Sequence, residues 1–171
     1  MIPELVYVTH PVAAIAWVYA TDWEAERNAE IIKADGAMNS LHAGFHHLRT
    51  FYRVMAASAL STVASLPLWD SDPAMALSMI ALIAFFACWF IAAFNPLLNT
   101  MRGLPMDYVS QDPDADLFDR FIWWVTNRLH GGVALPGYVE KVYWKVIQIC
   151  LLAGIAIYFA IMWFSFHKYI V

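Results

Sequence analysis

The stretch NSLHAGFHHLRTFYR, residues 39 to 53, holds the densest group of side chains able to do chemistry. His42, His46 and His47 offer imidazole nitrogens, and histidines four residues apart on one helix face can share a metal ion. Arg49 and Arg53 continue the same helical stripe. The pattern predicts either a metal site or the cationic, water-facing first turns of a longer helix.

The motif HAGFHH in this stretch resembles one histidine box of the membrane desaturases and hydroxylases, in which several such boxes surround two irons. The resemblance covers six residues and implies di-iron chemistry. The chain has six histidines in all, and the other three stand alone in the sequence. We therefore interpret the stretch mainly as a cationic interfacial helix face, with a single metal site at His42, His46 and His47 as the alternative.

The composition predicts that the chain lives in lipid. Hydrophobic residues make up 61% of the 171 residues, charged residues 14%, and the mean hydropathy is +0.56. An ordinary soluble domain is about 45–50% apolar and roughly 25% charged. The net charge of −4, without a basic tail, argues against a nucleic-acid partner. Cys88 and Cys150 stand in apolar runs and are expected to be small core residues.

Apolar run lengths predict an all-α integral membrane protein with three transmembrane helices, a fourth candidate segment and an amphipathic surface helix. We expect one membrane domain over residues 1–171. Its parts are a spanning or re-entrant segment over 5–21, a helix over 37–69 that extends into the cytoplasm, a span over 73–95, a cytoplasmic loop with the surface helix over 96–141, and a span over 142–168.

The surface helix is predicted from a helical repeat of apolar residues. Leu117, Phe121, Trp124, Val125 and Leu129 recur at helical spacing, which indicates an amphipathic helix lying along the membrane surface. Gly131, which follows, can end it.

The distribution of Lys and Arg predicts the orientation. The turn DSDP between the first two spans has two acids and no base, whereas the segments on either side of this span pair are basic. The positive-inside rule then puts the basic segments in the cytoplasm and the C-terminus outside. A bacterial-type inner membrane is our guess for its location.

On the cytoplasmic side, an acidic cluster faces two arginines across the predicted surface. We hypothesise that these groups pair, within one subunit or between two, although exposed ion pairs contribute only ~0–1 kcal/mol each. The residues concerned are Arg49, Arg53, Asp112, Asp114, Asp116 and Asp119.

Small residues four apart on the predicted spans favour close helix packing, which drives helix association in lipid. Such stripes predict contacts with other helices of the chain, with a second copy or with other membrane subunits. The stripe residues are Ala57, Ser61 and Ser65, then Ala84, Cys88 and Ala92, then Ala156 and Ala160.

Other chemistry finds little support in the residue types. The three main spans hold no Asp, Glu, Lys, Arg or His in their cores, which disfavours a pump or a proton-coupled transporter. Two histidines near membrane depth, His10 and His167, leave a haem alternative. A holin-like or channel-like pore would need serines such as Ser61 and Ser78 to line an oligomer.

The sequence therefore predicts a non-enzymatic structural or accessory subunit of a membrane complex, with lipid and either itself or other membrane subunits as partners. No cofactor is expected. The alternatives are a metal- or haem-dependent membrane oxidoreductase centred on the histidine stretch, and an oligomeric pore.

Overall fold

The computed structural model describes residues 3–35, 43–110, 117–131 and 136–170. Within these ranges the chain is helical and has no strand. The long elements are α1 (Val6–Asp35), α2 (Ala43–Ser65), α3 (Asp72–Met101), α4 (Leu117–Leu129) and α5 (Pro136–Ser165), with short turns of tighter or wider helix at Pro3–Leu5, Leu66–Leu68 and Phe166–Ile170.

Two helices in the described part of the chain are long and apolar enough to cross a membrane. They are α3, Asp72–Met101, and the segment Gly137–Lys168, which contains most of α5. The prediction of a helical chain is confirmed in these ranges, and the predicted spans over 73–95 and 142–168 fall within these two helices.

Helix α1 runs unbroken through Pro11, where the sequence suggested an interruption. Proline removes one backbone donor, and at this position the missing bond is one near the first turns of a helix of 30 residues. The remaining turns are held by packing against neighbouring helices, since α1 contacts both α2 and α3.

Helix α2 ends because Pro67 follows it. Proline cannot donate a backbone hydrogen bond and disfavours α-helical geometry in the residue before it. The chain therefore tightens into the short turn Leu66–Leu68, in which the Trp69 N–H donates to the Leu66 carbonyl at 3.0 Å. The predicted helix over 37–69 overlaps α2 and this turn, while residues 36–42 lie outside the described residues.

Helices α1, α2, α3 and α5 alternate in direction. Thr9 near the start of α1 donates to the Ala64 carbonyl near the end of α2, at 2.7 Å, so α1 and α2 are antiparallel. Further along α1, Trp17 donates to the Phe86 carbonyl of α3 at 3.0 Å. Helix α3 packs against α1, α2 and α5. The result is an up-and-down arrangement of α1, α2, α3 and α5 with α3 at its centre.

Helices α3 and α5 approach closely at Gly154. A Cβ atom added there would lie 2.7 Å from the Cβ atom of Cys88 and 3.3 Å from its Sγ atom. Real Cβ atoms do not approach so closely, so only glycine allows this separation of the two backbones. The contact sets the distance between α3 and α5.

The connection after α3 folds back onto the bundle. Gly103, with φ +76°, takes the left-handed conformation that ends the helix. The Asn99 side-chain amide donates to the carbonyls of Met106, at 3.2 Å, and Tyr108, at 2.9 Å. The Tyr143 hydroxyl of α5 donates to the same Met106 carbonyl at 3.0 Å. These bonds hold the Met106 and Tyr108 carbonyls against α3 and α5.

Helix α4 packs against α5. Ile122 and Thr126, four residues apart, are fully buried, and the ring of Phe118 meets that of Tyr143 edge to face. Phe121 and Trp124, two residues of the predicted apolar repeat, remain exposed. Phe118 and Trp123 pack against the core cluster that includes Ile122 and Tyr143, while the rings of Phe121 and Trp124 are left outside.

We expect Gly154→Ala to lower the free energy of unfolding by about 1–3 kcal/mol, because the new methyl group overlaps Cys88 and forces α3 and α5 apart. Thermal unfolding of the detergent-purified protein measures this change. Gly137→Ala is the matched control in the same helix, since a Cβ atom there meets nothing within 4 Å. Equal unfolding temperatures for the two variants would contradict the close contact.

Candidate functional site

A buried hydrogen-bond chain links one residue from each of the helices α1, α2, α3 and α5. His10 of α1 lies at its centre, with Nδ1 2.8 Å from the Tyr158 hydroxyl of α5 and Nε2 2.9 Å from the Ser78 hydroxyl of α3. The Ser78 hydroxyl lies 2.7 Å from the Ser65 hydroxyl of α2. Ser65 and Ser78 are fully buried and His10 is 2% exposed. We call Tyr158, His10, Ser78 and Ser65 the polar chain.

The polar chain has more hydrogens than it can use internally. Three hydroxyl hydrogens and one imidazole hydrogen are available for three hydrogen bonds. If the Tyr158 hydroxyl donates to His10, the surplus hydrogen falls on one of the serines. If instead the His10 Nδ1–H donates to Tyr158, the tyrosine hydrogen is left over. The hydrogen bonds of the polar chain can therefore run from Tyr158 toward Ser65 or from Ser65 toward Tyr158.

A small niche of about 160 Å³ adjoins one end of the polar chain. It lies where α1 and α5 flank α3, and apart from the His10 ring and the Tyr158 hydroxyl its walls are apolar. Its lining residues are His10, Pro11, Ala14, Leu82, Phe85 and Tyr158.

A second polar contact joins α1 to α2 at the other end of the bundle. The Arg53 Nε atom donates to Glu24 Oε1 at 2.7 Å, and its terminal NH2 group contacts the same oxygen. The guanidinium carbon of Arg53 lies 4.4 Å from the ring centre of Phe90 and 5.0 Å from that of Phe94. Charge pairing and cation–π contact together hold the arginine between α1 and α3.

A cleft of about 460 Å³ opens beside this ion pair. Most of its lining is apolar and aromatic, and its size falls in the range of about 300–1,000 Å³ that is usual for ligand pockets. The charges near it are balanced, because Arg27 pairs with Glu30 at 3.2 Å on the exposed rim. Its lining residues are Trp17, Ala20, Thr21, Trp23, Glu24, Arg27, Asn28, Ile31, Tyr52, Arg53, Ala56 and Phe90.

The predicted metal ligands cannot be placed. His42 lies outside the described residues, and the side chains of His46 and His47 in α2 do so as well. In the ranges that the structure does describe, no three His, Cys, Asp or Glu side chains gather as a possible metal site. The metal interpretation of the histidine stretch stays a prediction.

Arg53 pairs with Glu24 of α1. Helix α1 lies along α2 and brings Glu24 to Arg53, whereas α4 packs against α5. Asp119 of α4 accepts a hydrogen bond from the Ser110 backbone N–H at 2.8 Å. Asp112, Asp114 and Asp116 lie outside the described residues, as does the Arg49 side chain, so their pairing remains a prediction.

The two histidines of the haem alternative lie in different environments. His10 is buried with both ring nitrogens in hydrogen bonds, so neither nitrogen is available to an iron in this arrangement. His167 is exposed, and its ring stacks on Trp163 at 3.9 Å between ring centres.

The predicted small-residue stripes divide between the interior and the outer face. Ala57, Ser61 and Ser65 are buried within the bundle, as is Ala92, while Ala84 and Cys88 are half-buried. Ala156 and Ala160 of α5 are exposed.

Sequence reasoning missed the polar chain and the partner of Arg53. His10, Ser65, Ser78 and Tyr158 are single polar residues in four separate apolar segments, and no local motif connects them. The available signal was a histidine within an otherwise uncharged helical run, which in lipid requires an internal partner.

We expect Ser78→Ala to lower the free energy of unfolding by about 1 kcal/mol, because His10 and Ser65 each lose their partner. Ser65→Ala with Ser78→Ala should cost less than the sum of the single changes, since both serines belong to one chain of bonds. Unfolding of the detergent-purified variants measures the coupling. Thr62→Ala is the control, because Thr62 donates to the Ser58 carbonyl of its own helix. Additive losses would contradict a connected chain.

Comparison with known proteins adds no assignment to this geometry. No protein-family model, no curated protein and no solved structure matches this chain. A proposal for its function therefore rests on the contacts described above.

Proposed function

We propose that this chain is an integral membrane protein in which α1, α2, α3 and α5 all span the bilayer, and that it serves as a structural or accessory subunit that associates through α5. Two lines of support concern the spans, and one concerns the association.

Exposed aromatic residues at two levels support four spans. Trp144 and Trp163 stand nineteen residues apart on α5, roughly 28 Å at the helical rise, close to the ~30 Å hydrocarbon layer. Tyr7 and Trp23 stand sixteen residues apart on α1, roughly 24 Å, and are 68% and 66% exposed. Tyr7 stacks on Phe166 just beyond Trp163, so the outer levels of the two helices coincide. Such belts are typical of membrane interfaces.

Exposed aliphatic residues between these levels also support spanning by α1 and α2. On α1, Val8, Val12 and Ile15 are each more than half exposed. On α2, Met55 and Val63 are more than half exposed as well. A continuous apolar surface of this kind is unfavourable in water and matches hydrocarbon.

The charges at the two ends support an orientation. The end with the α2 start and the α3 end carries most of the basic residues, among them Arg102, Arg128 and Lys141. The turn between α2 and α3 at the other end carries Asp70 and Asp72 and no base. By the positive-inside rule the basic end is cytoplasmic, and both termini lie outside. A bacterial-type inner membrane remains our choice of location.

We expect cysteines placed at Glu4, Asp70 and Lys168 to react with a membrane-impermeant thiol reagent added to intact cells. A cysteine at Met106 should react only after the membrane is opened. Gel-shift labelling in a background with Cys88 and Cys150 replaced by alanine measures this pattern.

The label at Glu4 decides between three and four spans. If Glu4→Cys is protected in intact cells while Asp70→Cys reacts, α1 does not cross the bilayer. Parent protein without cysteine is the control for background reaction.

The exposed small residues of α5 carry the subunit proposal. Ala156 and Ala160 form the middle of an outer face whose ends are large, with Ile149, Leu152 and Trp163 each at least 65% exposed. A shallow strip between large side chains lets another helix approach closely, and that contact drives association in lipid. A second copy of the chain is the partner that we propose.

The interior polar groups favour a structural role. The His10 imidazole and the Arg53 guanidinium both bind groups on neighbouring helices of the same chain. The pore alternative requires Ser61, Ser65 and Ser78 to face a channel between copies, but all three are buried inside one bundle. Pairing of Arg49 with the acidic cluster of a second copy remains part of the proposal.

We expect the purified protein to have the mass of two or more 19.4 kDa chains, and Ala156→Leu with Ala160→Leu to convert it to a monomer by filling the strip. Light scattering with correction for bound detergent measures both masses. Ala59→Leu is the matched control, because Ala59 is exposed on α2. A monomeric parent protein, or equal disruption by the control, would contradict association through α5.

A further inference from the structure

The niche beside the polar chain has the size of one six-membered ring. Its volume of about 160 Å³ is close to the roughly 150 Å³ of an apolar protein cavity that takes up benzene. Leu82 and Phe85 of α3 form part of the wall, and Ala14 of α1 is small enough to leave the space open. A fused multi-ring body, such as a sterol, would not fit this volume.

The niche also has a polar end that needs an acceptor. When the His10 Nδ1–H donates to the Tyr158 oxygen, no described residue accepts the hydrogen of the Tyr158 hydroxyl. Tyr158 lines the niche and is half-buried, so this hydroxyl can donate to an oxygen atom held there. With the ligand oxygen as an added acceptor, all four hydrogens of the polar chain would then take part in hydrogen bonds.

The niche is reached from the side of the bundle. It lies between α1 and α5, and Pro11 on its edge is exposed. If α1 and α5 span the membrane as proposed above, this opening faces the hydrocarbon layer. A ligand would enter from the lipid and leave its apolar tail there.

We propose that the niche binds the ring of a lipid-soluble quinone, with one ring carbonyl oxygen accepting a hydrogen bond from the Tyr158 hydroxyl. A quinone combines the three properties that the niche requires: a single flat ring, an acceptor oxygen on that ring, and an apolar tail. An acyl chain has no ring to fill the niche.

Binding of a decyl-substituted benzoquinone to the full-length protein in lipid nanodiscs, measured by titration calorimetry, tests the proposal. We expect saturable binding to the parent protein. Tyr158→Phe keeps the ring but removes the donor, and should weaken binding about tenfold. Ala14→Leu fills the niche while all four residues of the polar chain are kept, and should abolish saturable binding.

Two controls separate this site from general partition into lipid. Tyr7→Phe makes the same substitution at an exposed tyrosine at the same end of the bundle, and should bind as the parent protein does. Decylbenzene fits the niche but offers no oxygen, and should bind at least tenfold more weakly than the quinone.

Saturable binding that Ala14→Leu leaves intact, equal affinity for decylbenzene, or no saturable binding to the parent protein would each overturn the proposal. These results leave the association through α5 unaffected, because Ala156 and Ala160 do not line the niche. Protection of Glu4→Cys from outside labelling would instead remove the spanning α1 on which the lipid-side entrance depends.

Discussion

Burying a polar side chain between apolar helices is costly unless it finds a hydrogen-bond partner within the bundle, since neither lipid nor packed hydrocarbon can replace water. In this chain the requirement selects one arrangement of the helices. The two nitrogens of His10 lie on different edges of its ring, and each meets a hydroxyl on another helix. A shift of α1 by one helical turn, roughly 5.4 Å, would break both bonds. The polar chain therefore sets the depth of α1 against α3 and α5.

A second polar contact holds the other end of α1. Glu24 stands fourteen residues after His10, roughly 21 Å along the helix, and pairs with Arg53 of α2. Between the two polar levels the contacts are apolar or use backbone carbonyls, as where Trp17 stacks on Phe86 at 5.0 Å and donates to its carbonyl. Two polar levels with an apolar middle explain how α1, less apolar than α3, keeps a fixed place beside it.

Helix α5 connects the interior of the bundle with its surroundings. One face carries Gly154, which lets α3 approach closely, and Tyr158, which ends the polar chain. The opposite face carries Ala156 and Ala160, which are exposed. Positions 154 and 158 lie on one side of the helix, and positions 156 and 160 lie on the opposite side. One apolar segment can therefore serve both an internal contact and an external one.

The helical character of the chain and the positions of its two most apolar helices follow from the sequence alone, because long uncharged runs have few other structures open to them. The small residues of α5 were also visible there, but not the direction they face. Which polar residues meet was decided only by the tertiary structure. His10, Ser65, Ser78 and Tyr158 are separated by up to 148 residues, and only helix depth and rotation bring them within hydrogen-bond distance. The same holds for Arg53, whose partner depends on which helix lies beside it rather than on which acids are most numerous in the sequence.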